Sequence, residues 1–400
     1  MSKWKIFGAV ALVIALLSFN WDRIELESRA FVVTLGIDVA EADDSRFEVS
    51  MNIAHTADRE NGGTESVILR RAEGDSLAHA MGQVEAAISE KIYFGHTKAI
   101  VLSEAVLEDA SLLREVVDTL SRNNEINIKA TVVATDKSAA ELLAARPRKQ
   151  GLLGVYLSGF FNSSLGSTNS AASAVKLDLE HLDLDLLISG SVLIPMITLE
   201  ADEGDESPTD AGGGEGDNDS SQEVIISGIA VVRDYALIDR IEQSHMGGFL
   251  WLKEDAAGTR VVLEHENDRG YLTFLTNHSK ARMNFSDTDG VLLCRVTINV
   301  EGSIQGASYM GSDYSLHFDS RGMAAYEDDF AAKIKEEAEA LFEELQGLGV
   351  DGLGLKESLR KKDRLLYRRY AVEGDWQAAY EGMVLEVEVD VAVRNAGAVK

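Results

Sequence analysis

Two hydrophobic periods alternate along this chain, and together they restrict it to folds in which sheets pack against helices. The period of two comes first. Phe31 to Asp38 is rich in β-branched and aromatic residues, a polar turn spans 41–45, and Phe47, Val49, Met51 and Ile53 then alternate with polar residues. Two such runs around a short turn predict a β-hairpin. After a polar loop from Thr56 to Glu65 the period lengthens, with Leu77, Met81, Val84 and Ile88 at helical spacing behind Asp75 or Ser76 as cap. Lys98–Leu102 reads as a short buried strand, and Ser103–Leu120 as a helix with Leu112, Val116 and Leu120 on one stripe. Ile126–Ala134 reads as another strand, and Ser138–Ala145 as a short helix capped by Ser138.

The second half repeats the mixture. Asp183-Leu-Asp-Leu186 alternates and reads as strand or extended chain, and Val192–Leu199 as a strand. Val224–Val232 and Ala236–Ile241 predict a hairpin turning at Asp234-Tyr235. An apolar segment, Met246–Leu252, precedes three strands of a meander at Arg260–Glu266, Tyr271–Met283 and Val291–Val300. Met323–Leu345 is the clearest helix, with Phe330, Ile334, Ala338, Leu341 and Leu345 on its apolar stripe. Asp351 can cap a further helix toward Arg364, and the valines of Met383–Arg394 mark a last strand. The fold class is therefore α+β and multi-domain, with mostly antiparallel sheets packed with helices.

Four hundred residues exceed one ordinary core. Composition shifts abruptly at Glu200–Glu223, where about ten carboxylates, no basic residue and Gly212-Gly-Gly214 predict a flexible linker. The expected organisation is a signal-like membrane anchor at 1–20, an N-terminal α+β region at 21–199, the acidic linker at 200–223 and a C-terminal α+β region at 224–400. A net charge of −29 makes nucleic acid a poor partner, because phosphate is repelled. It also repels anionic lipid from the body of the protein, which leaves membrane attachment to the N-terminus.

There, Lys3 and Lys5 precede an uncharged apolar run from Ile6 to Phe19. Small residues are missing from the positions that type I cleavage requires, so the run is expected to stay on the chain as an anchor. As a helix it covers about 21 Å of a hydrocarbon core roughly 30 Å thick, with Trp4 and Trp21 extending it toward the two interfaces. The lysines place the remainder outside the cytoplasm. The sole cysteine, Cys294, lies in an apolar run and reads as a buried small hydrophobe.

No residue is assigned a catalytic, cofactor-binding or metal-ligating role. The eight histidines form no close metal pair, and no nucleophile elbow, phosphate-binding loop or dinucleotide fingerprint occurs. Asp183 and Asp185 read as a solvated face, not a catalytic pair. Asp217-Asn-Asp219 lacks the glycine and terminal glutamate of a calcium loop. His96 reads as a hydrogen-bonded residue fixing a turn, with an alternative role as a polar contact at a partner surface. Gly247-Gly248-Phe249-Leu250-Trp251 reads as core, with an alternative role as an aromatic anchor for a partner. Lys361, Lys362, Arg364, Arg368 and Arg369 form the one basic cluster, either a polar helix face or a contact for an acidic partner or lipid.

Several segments, in order, resemble the spore germination C-subunit family, Ger(x)C. They are Trp21-Asp22-Arg23, Gly36-Ile37-Asp38, Phe94-Gly95-His96 with Ile100–Glu104, Ser227–Asp234 with Leu237, Gly248–Leu252, Asp351-Gly-Leu-Gly354 and Val387–Gly397. The resemblance implies three α+β domains, the third roughly 256–400, and no recognised enzyme site. It also implies a membrane-attached, extracytoplasmic subunit of a nutrient germinant receptor, on the outer face of the spore inner membrane beside A and B subunits. One departure stands out. The family's lipid-accepting cysteine directly before the Trp is Asn20 here, whose amide cannot form the thioether. A membrane-anchored extracellular enzyme acting on cell-wall material is the alternative function, which close carboxylates in a deep cleft would favour.

Overall fold

The computed structural model describes residues 29–54 apart from 43, and residues 67–145, 152–162, 176–201, 222–253, 256–264, 270–309 and 320–395. The anchor with Asn20 and Trp21–Arg23, most of the acidic segment with Asp217–Asp219, and the tail beyond 395 lie outside them.

Among the described residues, thirteen strands form two sheets. The first runs β3 (Val67–Gly74), β2 (Phe47–Ala54), β1 (Arg29–Val39), β5 (Ala99–Ser103), β6 (Thr131–Thr135), β7 (Ser191–Ala201), β8 (Gln222–Arg233) and β9 (Ala236–Glu242). A short β4 (Lys91–Tyr93) pairs with the start of β1. The expected β1–β2 and β8–β9 hairpins are present, the latter turning through Asp234 and Tyr235 at φ 52° and 68°. The centre, β1-β5-β6-β7, is parallel. Parallel neighbours need crossovers, and these carry the helices α1 (Leu77–Ala86), α2 (Glu104–Glu108), α3 (Ala110–Arg122), α4 (Ala139–Ala144), α5 (Leu153–Asn162) and α6 (Leu179–Ser189). Both faces of the sheet centre are covered, so every residue of β5 and β6 is buried. Successive side chains feed two different cores. Ile100 and Leu102 join Leu77, Val116 and Leu120, while Ala99 and Val101 join Leu143, Leu157 and the C-terminal half.

The second sheet runs β10 (Arg260–Glu264), β11 (Gly270–Thr288), β12 (Val291–Tyr309) and β13 (Val384–Asn395). β11 and β12 form a hairpin closed by Asp289-Gly290, both in the left-handed region that matches strand twist. α8 (Ser320–Gly347) covers the sheet with the five stripe residues fully buried. α7 (Gly247–Leu252) packs across α8, and α9 (Leu355–Lys362), α10 (Arg364–Tyr367) and α11 (Trp376–Glu381) complete the connection to β13, which pairs with β12 in parallel. Cys294 is fully buried, and burial pushes its thiol up to about 12.

Several local expectations are corrected. The Asp183–Leu186 alternation belongs to a helix, α6, because Asp178 caps it by accepting from His181 N at 2.9 Å and Gly190 closes it. Leu179, Leu182 and Leu186 then share the buried face, and the intervening acids fall outside. The helix expected over 103–120 is two helices, since Asp109 breaks it and recaps the second through the N–H groups of Ser111 and Leu112. The strand expected from Ile126 begins only at Thr131. β3 and α5 were not expected at all. Glu200 and Ala201 close β7 in register with Glu223 and Gln222 of β8.

Candidate functional site

The motif residues fall mainly into structural joints. Asp38, at the end of β1, is almost fully buried and accepts from the N–H groups of Ala139 at 2.7 Å and Ala140 at 3.0 Å. It thus caps α4 from a distant part of the chain, assisted by Ser138, the expected local cap. Burial holds the Asp38 carboxyl above the ordinary aspartate range, against the pull of those donors. Gly36 lets α4 lie close, since a Cβ there would stand 3.1 Å from Leu143 Cδ1.

Gly248 to Leu252 form α7, all buried. A Cβ on Gly248 would lie 2.5 Å from the Glu337 carbonyl oxygen and 2.6 Å from Leu341 Cβ, so the crossing of α7 and α8 requires glycine. Trp251 donates its indole N–H to Glu337 Oε2 at 2.8 Å, and burial raises the Glu337 carboxyl against that bond. Asp351 accepts from Leu355 N at 2.7 Å and Lys356 N at 2.8 Å, capping α9 as expected, while Gly354 takes the left-handed turn at φ 69°.

Where α6, α7 and the Asp351 loop meet, a cleft of about 280 Å³ opens. Asp185, Lys253 and Asp351 line it, with Lys356 and Glu357 at one side and Ser191 to Leu193 of β7 on the wall. Water reaches Lys253, yet protein rings its charge. Burial pulls its ammonium below the usual lysine range, and the carboxylates of Asp185 and Asp351 oppose that shift. Burial likewise raises both carboxyls. Among the described residues no carboxylate comes within ion-pair distance of Lys253; its ammonium lies 5.7 Å from the Phe249 ring centroid. One cation between two separated carboxylates forms a polar socket that suits small charged or hydrogen-bonding groups. Among the described residues no group of histidine, cysteine and carboxylate side chains could hold a metal ion.

This cleft was missed in the sequence. In sequence Asp185 reads as one of a pair with Asp183, but on a helix residues two apart diverge, and only Asp185 lines the cleft. A lysine directly after the Phe-Leu-Trp-Leu run was the available signal. His96 is also corrected. Among the described residues its side chain makes no hydrogen bond and instead meets Phe31 and Tyr93 edge-on, with centroids 5.1 and 5.5 Å away. The basic cluster is largely neutralised: Lys361 pairs with Glu357, Arg368 with Glu373 and Arg369 with Asp287, and Lys362 donates to the Met283 carbonyl. Arg364 makes no ion pair among the described residues.

Comparison with known proteins places the whole chain. The family model described as "Spore germination protein N-terminal domain" matches residues 22–199, and that described as "Spore germination B3/GerAC like, C-terminal" matches 227–397. The spore germination protein YfkR of Bacillus subtilis (strain 168) is 21% identical over 96% of this chain and 95% of its own length. Spore germination protein KC of the same organism is 20% identical over 94% of this chain and 92% of its own. The crystal structure of the GerBC protein superposes with a TM-score of 0.54 at 14% identity, covering 90% of this chain and 97% of that one, a likeness of fold. With both family regions matched in order and the fold shared, this chain belongs to the Ger(x)C family of spore germination proteins.

Proposed function

We propose that this protein is a non-enzymatic, membrane-attached subunit of a nutrient germinant receptor, held on the extracytoplasmic face and assembled with A and B subunits. The observation that carries the reading is the end-to-end match: both family regions occur in order, and the relatives align over more than nine-tenths of each chain. The family-like residues support it physically. Asp38, Gly248, Trp251, Asp351 and Gly354 cap helices, permit close crossings or set turns, so what they preserve is a shape. A scaffold or coupling subunit needs that. The apolar run at 6–19, with Lys3 and Lys5 before it, supports membrane attachment without acylation at Asn20.

Deleting the gene in its spore-forming host tests the proposal, with nutrient-triggered germination as the readout. Loss of the response to at least one nutrient, restored by the gene supplied in trans, is the expected result. Unchanged germination to every nutrient in a strain without sister receptors refutes it. Co-purification of the membrane subunits with the tagged chain tests the assembly part separately.

A further inference from the structure

We propose that the end of the first sheet where β1 begins is a docking face for an anionic bilayer surface. The inference rests on the membrane attachment proposed above and says which side of the protein faces the lipid.

The strand register assembles this face. Arg29 pairs with Lys91 and Phe31 with Tyr93, so these four side chains project from one side of the sheet. Their neighbours Ala30 and Ile92 point the other way into the core. The loop after β4 adds His96, whose ring meets both Phe31 and Tyr93, and the guanidinium of Arg29 lies over the Tyr93 ring at 5.3 Å. Gly95 lies under Tyr93, since a Cβ there would come 2.6 Å from the phenol oxygen. Lys98 follows at the base of β5, where its N–H bonds to Val33 O. Lys91, His96 and Lys98 are exposed, and Arg29, Phe31 and Tyr93 half-buried. Ile128, half exposed in the loop before β6, belongs to the same end because β5 and β6 are parallel.

The grouping of charge beside aromatic rings marks this end. The chain carries −29 overall, yet Arg29, Lys91 and Lys98 make no ion pair among the described residues. The acidic neighbours of this end include Glu90, which accepts from Ser89 Oγ at 3.3 Å, and Glu180, whose N–H bonds to the Ile128 carbonyl and whose carboxylate pairs with Lys129. Elsewhere many basic groups are paired, as in the cluster around Arg368, and others such as Arg364 are not; here three unpaired cations share one end of a sheet with aromatic rings. Unpaired cations beside half-buried aromatic rings are the chemistry of a headgroup interface, where amphipathic rings sit at the boundary and cations meet phosphate. Position agrees with chemistry. The apolar run ends at Phe19, about ten residues before Arg29, and an extended chain of that length spans at most about 35 Å. The run therefore tethers this end of the sheet near the bilayer, and the rest of an acidic body is repelled from the same surface. Docking here fixes orientation, with the C-terminal sheet left free for protein partners.

The test uses the full chain in vesicles of phosphatidylcholine with phosphatidylglycerol. Because Cys294 is fully buried, Ile128→Cys and, on the outer face of α8, Lys335→Cys each give one reactive thiol for an environment-sensitive fluorophore. Flotation reports attachment independently of orientation. The expected result is a blue-shifted label at 128, quenched by headgroup-level spin-labelled lipid, and an unquenched label at 335. Arg29→Glu, Lys91→Glu and Lys98→Glu together should abolish the quenching at 128 without reducing flotation. The corresponding glutamine set, with folding checked by circular dichroism, should weaken it in the same direction. A chain that floats but shows equal labels at 128 and 335, or quenching indifferent to both charge sets, overturns the docking face and leaves attachment standing. A chain that stays at the bottom of the gradient and does not float with the vesicles overturns attachment and docking together.

Discussion

The two adjacent glycines of α7 should respond unequally to the same substitution. A Cβ on Gly248 would sit 2.5 Å from a backbone oxygen of α8 and 2.6 Å from Leu341 Cβ, neither of which a rotamer change can move. Relief requires the two helices to separate, and overpacking of this kind costs about 3 kcal/mol, the upper part of its usual range. Alanine regains about 1 kcal/mol of helix propensity over glycine, so Gly248→Ala should lose about 2 kcal/mol net. On Gly247 the nearest atom, at 2.8 Å, is Glu337 Oε2, the far end of a flexible side chain. Gly247→Ala should therefore lose less, about 1 kcal/mol at most, since the carboxylate that must shift is also the acceptor of the Trp251 indole N–H. Urea unfolding midpoints by circular dichroism, with the emission of buried Trp251 as a second probe, read the difference. Equal midpoints for the two variants, or a stabilised Gly248→Ala, would refute the close-crossing argument.

Removing the Asp38 cap with Asp38→Ala should cost about 2 kcal/mol, since Ser138 still serves Ala140 while the Ala139 N–H loses its acceptor; faster amide exchange at Ala139 is the check. Burial raises the folded pKa of Asp38 above its unfolded value of about 3.9, so its contribution is complete below that value and is lost as pH rises through the folded pKa. The stability gap between wild type and Asp38→Asn should accordingly be larger near about pH 4 than near about pH 7 in paired denaturation curves. Trp251→Phe should lose about 1–2 kcal/mol by leaving the half-buried Glu337 carboxyl without its indole donor, measured by the same midpoints. Gly354→Ala meets no neighbour but must hold φ at 69°, and should cost about 1 kcal/mol in thermal unfolding.

The sequence by itself determined the local elements whose physics is local. Alternation in Phe47–Ile53 and Val384–Val393, the stripe from Phe330 to Leu345, the caps at Ser138 and Asp351 and the turn at Asp234-Tyr235 each depend on neighbours a few residues away, and all appear. Where two local signals competed, the tertiary structure chose. Asp183–Leu186 alternates like a strand, but Asp178 and Gly190 bracket it as a helix once Leu179, Leu182 and Leu186 have a core to fill. β3 escaped notice because it is an edge strand, half exposed, with adjacent arginines where alternation should be. The joints and the cleft lay beyond local reading altogether. Asp38 reads as the end of a strand until α4 arrives about a hundred residues later to be capped. Asp185, Lys253 and Asp351 come from three distant segments, and their shifted ionisation arises only when packing brings protein around all three. Periodicity records which side of an element avoids water; which surfaces then meet, and how far they desolvate a charge, is decided by the assembled fold.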